Sequence, residues 1–557
     1  MKILTKGNPD ADILFVGEIP GMDEEREGIP FAGYSGQELD AECIDAGINP
    51  SRCFYTNVAH KRPFGSKMEN LFYNKTEAKE RGISEFQGTF PDPIVTEGLV
   101  ALREIVEKVQ PNIIIALGSL ALWAFIGDNE SVLNSRRKPA GIVKWRGSVM
   151  EAWGRKVAFT YNPAYITRNW SDRWTVVQDL RRFNLEATSP VVTRRNYNFT
   201  PSPTFPQAIE LLENIRGKQI AVDVETRRGL ITSIAFAWSE EDAFCIPFSN
   251  FIENEEGYWD LNEETQLILK IRETLCGPNT LVCWQNGIYD IAYITKLWGF
   301  IPNHQDDTFL MQHVSFPGLS KSLNFIASMY ADPYCYWKDE GKEFIPGKHD
   351  VRRHRVYNCL DAVYTLECLK HLRGVIRSLK LEEQYAFLMR MYPKAIKTML
   401  WGILVDGKAR NRISGELLVC IQDRAAWLEK VLGHPLNVNS NSQMTALLYE
   451  DFKCRVRRDQ KTNMPSLKNI FLEEIKVEKP ILIPLVNAIQ ETRSLYVFKR
   501  NFTDDNPAKG IYKTSYDGRV RSQINLGGTE TFRLTFSEDP FGSGMNMQAI
   551  PPGSEED

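Results

Sequence analysis

The chain has no apolar run that approaches the ~18 residues needed to cross a bilayer, so no part of it reads as a membrane span. Its opening residues, Met1-Lys-Ile-Leu-Thr-Lys6, carry no long apolar core of the signal-peptide kind. Its ten cysteines are scattered, with no Cys-x-x-Cys pair. That argues against a zinc ribbon or thiolate cluster, and for reduced thiols in the cytoplasm. It also lacks an excess of one charge, the net value being -4. No global basic field advertises nucleic acid, although a basic groove can sit inside a near-neutral total. No internal repeat is visible. What is present, 43% hydrophobic and 25% charged residues, is ordinary for a soluble globular protein. At about 150 residues per domain, 557 residues make three or four domains.

Residues 1–187 alternate short apolar runs with helical patterns. The stretches at 13–17, 52–58, 113–117 and 156–160 have strand length, and 96–110 has a helical stripe. The alternation predicts a parallel sheet with helices on both faces. Such sheets place their sites just beyond the C-terminal ends of strands. Glu18-Ile-Pro-Gly21, Asn57 and Asn162-Pro-Ala164 stand at those positions.

The same residues carry a resemblance. Gly17-Glu-Ile-Pro-Gly21, Gly28-Ile-Pro-Phe-Ala-Gly33 and Thr56-Asn-Val-Ala-His-Lys-Arg-Pro63 resemble the signature of the iron–sulfur-type uracil-DNA glycosylases. The resemblance implies a uracil-like pocket in an α/β/α sandwich, with Phe31 stacking on a base, Asn57 reading its edge and Glu18 positioning a water. Two departures stand out. The family's late His-Pro-Ser motif is here Asn162-Pro-Ala164, and Lys61 stands where a cluster cysteine would be. No iron–sulfur cluster is expected. A glycosylase needs a group that stabilises the departing base anion, and Asn162 is a poor substitute for an imidazole. A domain used for DNA binding or subunit contact is therefore favoured over an active glycosylase. Residues 188–203 follow, rich in Pro, Ser and Thr without a period, which is linker chemistry.

Residues 204–375 hold a second set of acids. Gln219-Ile-Ala-Val-Asp-Val-Glu-Thr226 predicts a short buried strand. Side chains two apart on a strand point to one face, so Asp223 and Glu225 lie together. Two carboxylates on one face of an apolar strand repel each other and resist desolvation. A divalent metal is the usual resolution, although a strand end meeting solvent has the same triplet. Further on, Asn286 and Asp290 are four apart, so a helix starting there would put them on one face. Tyr357 and Asp361 are again four apart, in a helical pattern with the apolar stripe Val356, Leu360 and Val363.

The three elements Asp-x-Glu, Asn-x-x-x-Asp and Tyr-x-x-x-Asp resemble, in order, the 3′–5′ exonuclease domain of the DnaQ-like superfamily in its tyrosine-containing form. Asp306-Asp-Thr308, the run 321–330 and Tyr336-Trp-Lys-Asp-Glu-Gly-Lys342 are similar to the proofreading domains of phage family-A polymerases. The resemblance implies a ribonuclease H-like fold holding two magnesium or manganese ions. Asp223 would bridge both ions, Glu225 and Asp361 would complete the first site, and Asp290 would hold the second through waters. Tyr357 would orient the attacking water, and Asn286 would contact the substrate strand.

Residues 376–510 read as mainly helical, with helices over 379–398 and 408–431. The loop 436–443 holds ordinary Asn and Ser helix caps and also resembles the thumb entry of family-A polymerases. Arg455 to Arg458 and Lys461 form a basic patch that would face a duplex backbone or simply solvent. In 511–557, Asp517-Gly-Arg-Val520 predicts a hairpin turn. Gly528-Thr-Glu-Thr-Phe-Arg-Leu-Thr535 and Gly544-Met-Asn-Met-Gln-Ala-Ile-Pro551 resemble the start of the family-A palm, with Phe532 in place of the common glycine. By that likeness Arg533 and Gln548, with Asn546, would contact template–primer. The palm carboxylates and the fingers helix are absent from the sequence, which runs to Gly553-Ser-Glu-Glu-Asp557.

The reading is an α/β multi-domain chain resembling the N-terminal portion of a phage-type family-A DNA polymerase. Its expected domains are a glycosylase-like domain (1–187), a linker (188–203), an exonuclease (204–375), a thumb (376–510) and a partial palm (511–557). The expected activity is a magnesium-dependent proofreading exonuclease acting on single-stranded 3′ ends and primer-template. Polymerisation would need a second polypeptide with palm and fingers. No membrane partner is expected, and the setting would be cytoplasmic (host cytoplasm if phage-encoded). The alternatives are a non-catalytic DNA-binding scaffold and base excision by the first domain.

Overall fold

The computed structural model describes residues 3–550 apart from 64, 66, 252–256, 340–344, 346–349, 460–463, 505–516 and 543. Lys461, Glu340-Gly-Lys342 and the acidic run 553–557 therefore lie outside the described residues. The chain divides into two compact units, Met1–Asp290 with Leu297–Ala386, and Ile291–Lys296 with Phe387–Asp557.

The first unit contains two mixed sheets. The N-terminal apolar runs become β1 (Thr5–Gly7), β2 (Ile13–Gly17), β3 (Phe54–Asn57), β4 (Ile113–Leu117), β5 (Val149–Ala152) and β6 (Arg155–Thr160), in the order β1-β3-β2-β4-β6-β5. The central four are parallel and the edge strands β1 and β5 antiparallel. β2 and β4 are buried along their whole length. That is why they read as continuous apolar runs without alternation. Helices cover both faces, one core gathering around Leu102, Trp123 and Phe159 and the other around Phe15, Tyr55 and Phe183.

The second sheet is built from β7 (Asn198–Thr200), β8 (Gln219–Arg227), β9 (Leu230–Ala237), β10 (Asp242–Pro247), β11 (Leu281–Trp284) and β12 (Asp306–Asp307), in the order β12-β11-β8-β9-β10-β7. β8, β9 and β10 form an antiparallel meander, and β11 and β12 add in parallel beside β8. The long helix Val351–Leu379 lies across β8, β9 and β10. This is the ribonuclease H-like arrangement. The helix runs through residue 375, and β7 forms inside the stretch 188–203, where it pairs with β10.

The two sheets share a polar seam. Arg146, with 1% of its side chain exposed, pairs with the fully buried Asp179 and donates to Ser328 Oγ at 2.7 Å. Arg182 donates to the carbonyl of Ala331 at 3.0 Å, and Arg195 pairs with Glu367 at 2.7 Å. Burying a charge is costly unless it is paired and hydrogen-bonded; Arg146 and Arg195 are ion-paired, and Arg182 donates to two backbone carbonyls.

In the second unit the helices Gly407–Leu432 and Ile483–Phe498 pack together around Leu428, Met444, Leu448, Val486 and Ile489. β13 (Ile403–Leu404) pairs with β14 (Arg519–Val520), and β15 (Gln523–Asn525) with β16 (Thr535–Ser537). The other arm of the expected hairpin at 517–520 lies outside the described residues. The strand leaving Asp517-Gly518 takes a partner more than a hundred residues away, in β13. Among the described residues no helix is long and apolar enough to cross a membrane.

Candidate functional site

β8 carries Asp223 and Glu225 on one face, with Val222 and Val224 buried on the other. A register shift follows Glu225 against β9. Bulges of this kind re-aim side chains and are common beside active sites. The helix Val351–Leu379 faces the two acids with Tyr357, Asn358 and Asp361. Carboxylate oxygens of Asp223, Glu225 and Asp361 all lie within 4.8 Å of one another. Asp290, in the helix Ile288–Trp298, reaches β8, where its Oδ1 accepts the Val224 N–H at 3.0 Å.

The electrostatics are those of acids crowded without a counter-charge of equal size. Burial first, then the neighbouring Asp361, pushes the Asp223 carboxyl up to about 7, while Lys338 and Asn358 pull the other way. Burial and the surrounding acids hold Glu225 and Asp290 well above the usual carboxylate range. Burial, then Asp361, keeps the Tyr357 phenol a neutral hydroxyl at any ordinary pH. Burial opposes the charge of Lys338, but Asp361, Asp223 and Glu225 outweigh it, so the ammonium stays charged. Among the described residues, Lys338 is the cation that faces Asp223, Glu225 and Asp361. The donors are all oxygens, which suits a hard divalent cation such as magnesium or manganese. The Asp223–Glu225–Asp361 trio fits such an ion.

Three residues at this site were not legible as site residues. Asn358 donates to Asp223 Oδ2 at 2.7 Å and accepts from Ser233 Oγ at 2.9 Å. Its signal was faint, a polar residue three before Asp361 in an otherwise apolar stripe. Trp337 donates its indole N–H to Asp361 Oδ1 at 2.6 Å, and the Lys338 ammonium pairs with Asp361 Oδ2 and reaches the Tyr357 hydroxyl at 3.3 Å. Both sit in an irregular aromatic stretch with no period to point at a partner.

Asn286 differs from expectation. It lies outside the helix, exposed, with φ +57°. The carboxylate of Asp307 takes the N–H groups of Asn286 and Gly287 at 3.1 and 3.0 Å, so the helix starts at Ile288 and Asn286 does not share its face with Asp290. In the second unit Arg533, Asn546 and Gln548 are exposed, and the Gln548 amide donates to the Leu534 carbonyl at 2.9 Å, joining the two motifs. Phe532 has φ +61°, the left-handed region where glycine is at ease. Arg457 of the basic patch is paired with Glu474 at 2.5 Å.

At the first sheet the expected pocket residues converge on the C-terminal strand ends. Glu18 follows β2 and accepts the Leu120 N–H at 2.9 Å. Burial raises its carboxyl to about 6 against that bond and one from Ser119. Asn57 ends β3, is 2% exposed and donates to Glu24 Oε2 at 3.1 Å. A Cβ on Gly17 would meet Asn57 Oδ1 at 2.2 Å and the Phe31 ring at 2.7 Å, so glycine there lets the three pack closely. Phe31 itself has φ +56°. Asn162 follows β6 as a helix cap, accepting from the Ala164 N–H at 2.9 Å and donating to the Leu117 carbonyl at 3.3 Å.

A parallel-centred α/β domain with acid and amide side chains at the strand ends is the class of fold this first sheet defines. Residues 4–184 match the family model of the uracil DNA glycosylase superfamily. The type-4 uracil-DNA glycosylase of Thermotoga maritima is 31% identical over 185 residues, 33% of this chain and 78% of that protein. The type-4 enzyme of Archaeoglobus fulgidus is 29% identical over 164 residues, 69% of its length. The chain belongs, through residues 4–184, to the uracil-DNA glycosylase superfamily. It is also similar to the thermostable DNA polymerase I of Thermus thermophilus, 28% identical over 185 residues, 32% of this chain and 21% of that protein. A solved structure, the POL domain of Pol1 from M. smegmatis in complex with DNA primer-template and dNTP, aligns with a TM-score of 0.43 and 18% identity, covering 62% of this chain and 55% of that one.

Proposed function

We propose that the second sheet of the first unit is a magnesium- or manganese-dependent 3′–5′ exonuclease that proofreads DNA ends. The observation that carries the reading is the convergence of Asp223, Glu225 and Asp361 within 4.8 Å, with Tyr357 a helical turn from Asp361. Asp223, Glu225 and Asp361 would hold the first ion, and Asp290 would serve the second. Two bound divalent ions neutralise a phosphodiester and stabilise both the attacking and leaving oxygens. The chain's own groups do the rest. Asn358 and Lys338 orient carboxylates, and the neutral Tyr357 hydroxyl aligns a water by hydrogen bonding. Arg533, Asn546 and Gln548 would hold primer-template, and Asn286 the strand being cut. DNA synthesis would draw on palm and fingers residues outside these 557, on this or a second polypeptide.

Incubation with 3′-labelled single-stranded DNA and magnesium should release nucleotides from the 3′ end. Asp223→Ala should lower the rate at least about a hundred-fold, the scale of losing metal-centred charge stabilisation. Full activity in that variant would sink the metal assignment. Metal binding with no cleavage of any DNA would favour a non-catalytic scaffold.

A second reading, base excision, is favoured by the 31% identity to a type-4 glycosylase. Against it, Asn162, which follows β6, is an amide rather than an imidazole, and it serves as a helix cap bonded to the Ala164 N–H and the Leu117 carbonyl. Release of free uracil from uracil-containing DNA, lost in Glu18→Ala, would establish it.

A further inference from the structure

Residues 334–337 are irregular, yet the segment 334–339 is pinned from both sides. On the side of the glycosylase-like domain, the Val149 N–H donates to the Tyr334 carbonyl at 3.0 Å, and Ser148 Oγ accepts the Tyr336 N–H at 3.1 Å. The Tyr336 ring is buried in that domain's core, 5.2 Å from the Trp145 ring, and Lys144 pairs with Asp339 at 3.2 Å. On the other side, Trp337 and Lys338 each take one oxygen of Asp361. Trp337 also stacks on Tyr364, with ring centroids 4.1 Å apart.

We infer that Trp337 is a positioning residue for the carboxylate site, and that the glycosylase-like domain, through Ser148 and Trp145, is the frame that keeps it in place. A carboxylate free to turn about its terminal torsion presents a metal with many orientations. Asp361 is held at both oxygens, so its orientation is set in advance. Residues 334–337 of the segment that holds it lie in no helix or strand ladder. Two of those backbone groups are satisfied by the other domain. The first domain thus serves the second as a structural part of its site, whether or not it excises a base. The inference rests on the exonuclease reading for its consequence, but metal binding reads it out separately.

The test uses the full chain with Trp337→Phe, which keeps the ring on Tyr364 but removes the N–H, and Ser148→Ala, which touches no carboxylate. Manganese binding is titrated by electron paramagnetic resonance, and exonuclease kcat and KM are measured alongside the melting temperature. Each variant should need about ten-fold more manganese, or more, for half-saturation, with kcat lowered, KM for DNA unchanged and Tm within a few degrees of the parent. Unchanged manganese binding in both variants overturns the inference while leaving an active parent nuclease as it is. The expected shift in a parent that cuts no DNA overturns the exonuclease reading and leaves the inference standing. A Ser148→Ala protein that fails to fold transfers the decision to Trp337→Phe.

Discussion

Asp223 sits in a cluster where ionisation works against folding. Its carboxyl is raised from an ordinary 3.8 to about 7. A group whose folded-state value is raised contributes stability that is full below the unfolded value and lost as pH rises through the folded one. The metal-free protein should therefore lose stability between about pH 4 and 7. Asp223→Asn should flatten that part of the profile, and magnesium should restore stability above it. Thermal melts at a series of pH values, with chelator and with magnesium, check this. A parent and variant with parallel profiles would show that Asp223 does not carry the effect. Asn358 is the second residue to test. It bonds both Asp223 and Ser233 in a buried position. Asn358→Ala leaves those partners unsatisfied and should lower stability by about 1–3 kcal/mol, with exonuclease activity falling as Asp223 loosens. Urea denaturation and a nuclease assay measure the two effects.

At the scale of elements, Asp290 holds the fold together as well as standing in the proposed metal site. Its carboxylate accepts the buried amide N–H of Val224 in the middle of β8, and so ties the helix Ile288–Trp298 to the strand that carries Asp223 and Glu225. Asp290→Asn retains an acceptor, so the fold should stay near parental stability while metal-dependent cleavage drops. Asp290→Ala leaves a buried N–H unpaired and should cost about 1–3 kcal/mol in addition. Equal stability of the two variants, by chemical denaturation, would mean that the bond contributes nothing. The same scale shows what was legible beforehand. The strand period placed Asp223 and Glu225 on one face, and helical spacing placed Tyr357 beside Asp361, because both rules are local. Asn286 was misplaced onto a helix face since the capping group, Asp307, is 21 residues further along the chain.

At the scale of the molecule, the first unit joins two sheets through charges that have no solvent to fall back on. Arg146 and Asp179 are buried together, Thr160 donates to Asp179 at 2.7 Å, and Arg146 reaches Ser328 of the neighbouring sheet. Removing one partner strands the other in a low-dielectric interior. Asp179→Ala should lower stability by about 3–5 kcal/mol. The loss should be seen by probes in both sheets at once, as a single shifted transition in urea. Two separate transitions, with only the first sheet affected, would show that the seam does not couple them.

The amino-acid sequence by itself determined the elements and the acids. Apolar runs dictate strands, spacing dictates which side chains share a face, and both follow from backbone geometry within a few residues. It also carried the family of residues 4–184, since those motifs are contiguous. Only the tertiary structure decided how Asp361 is held, that Asn358 spans β8 and β9, and that the glycosylase-like domain supports a site in the next sheet. Those contacts join Ser148 to Tyr336 and Trp337 to Asp361 across long stretches of chain. Hydrogen bonding and desolvation act over a few ångströms of space, and no local period records them.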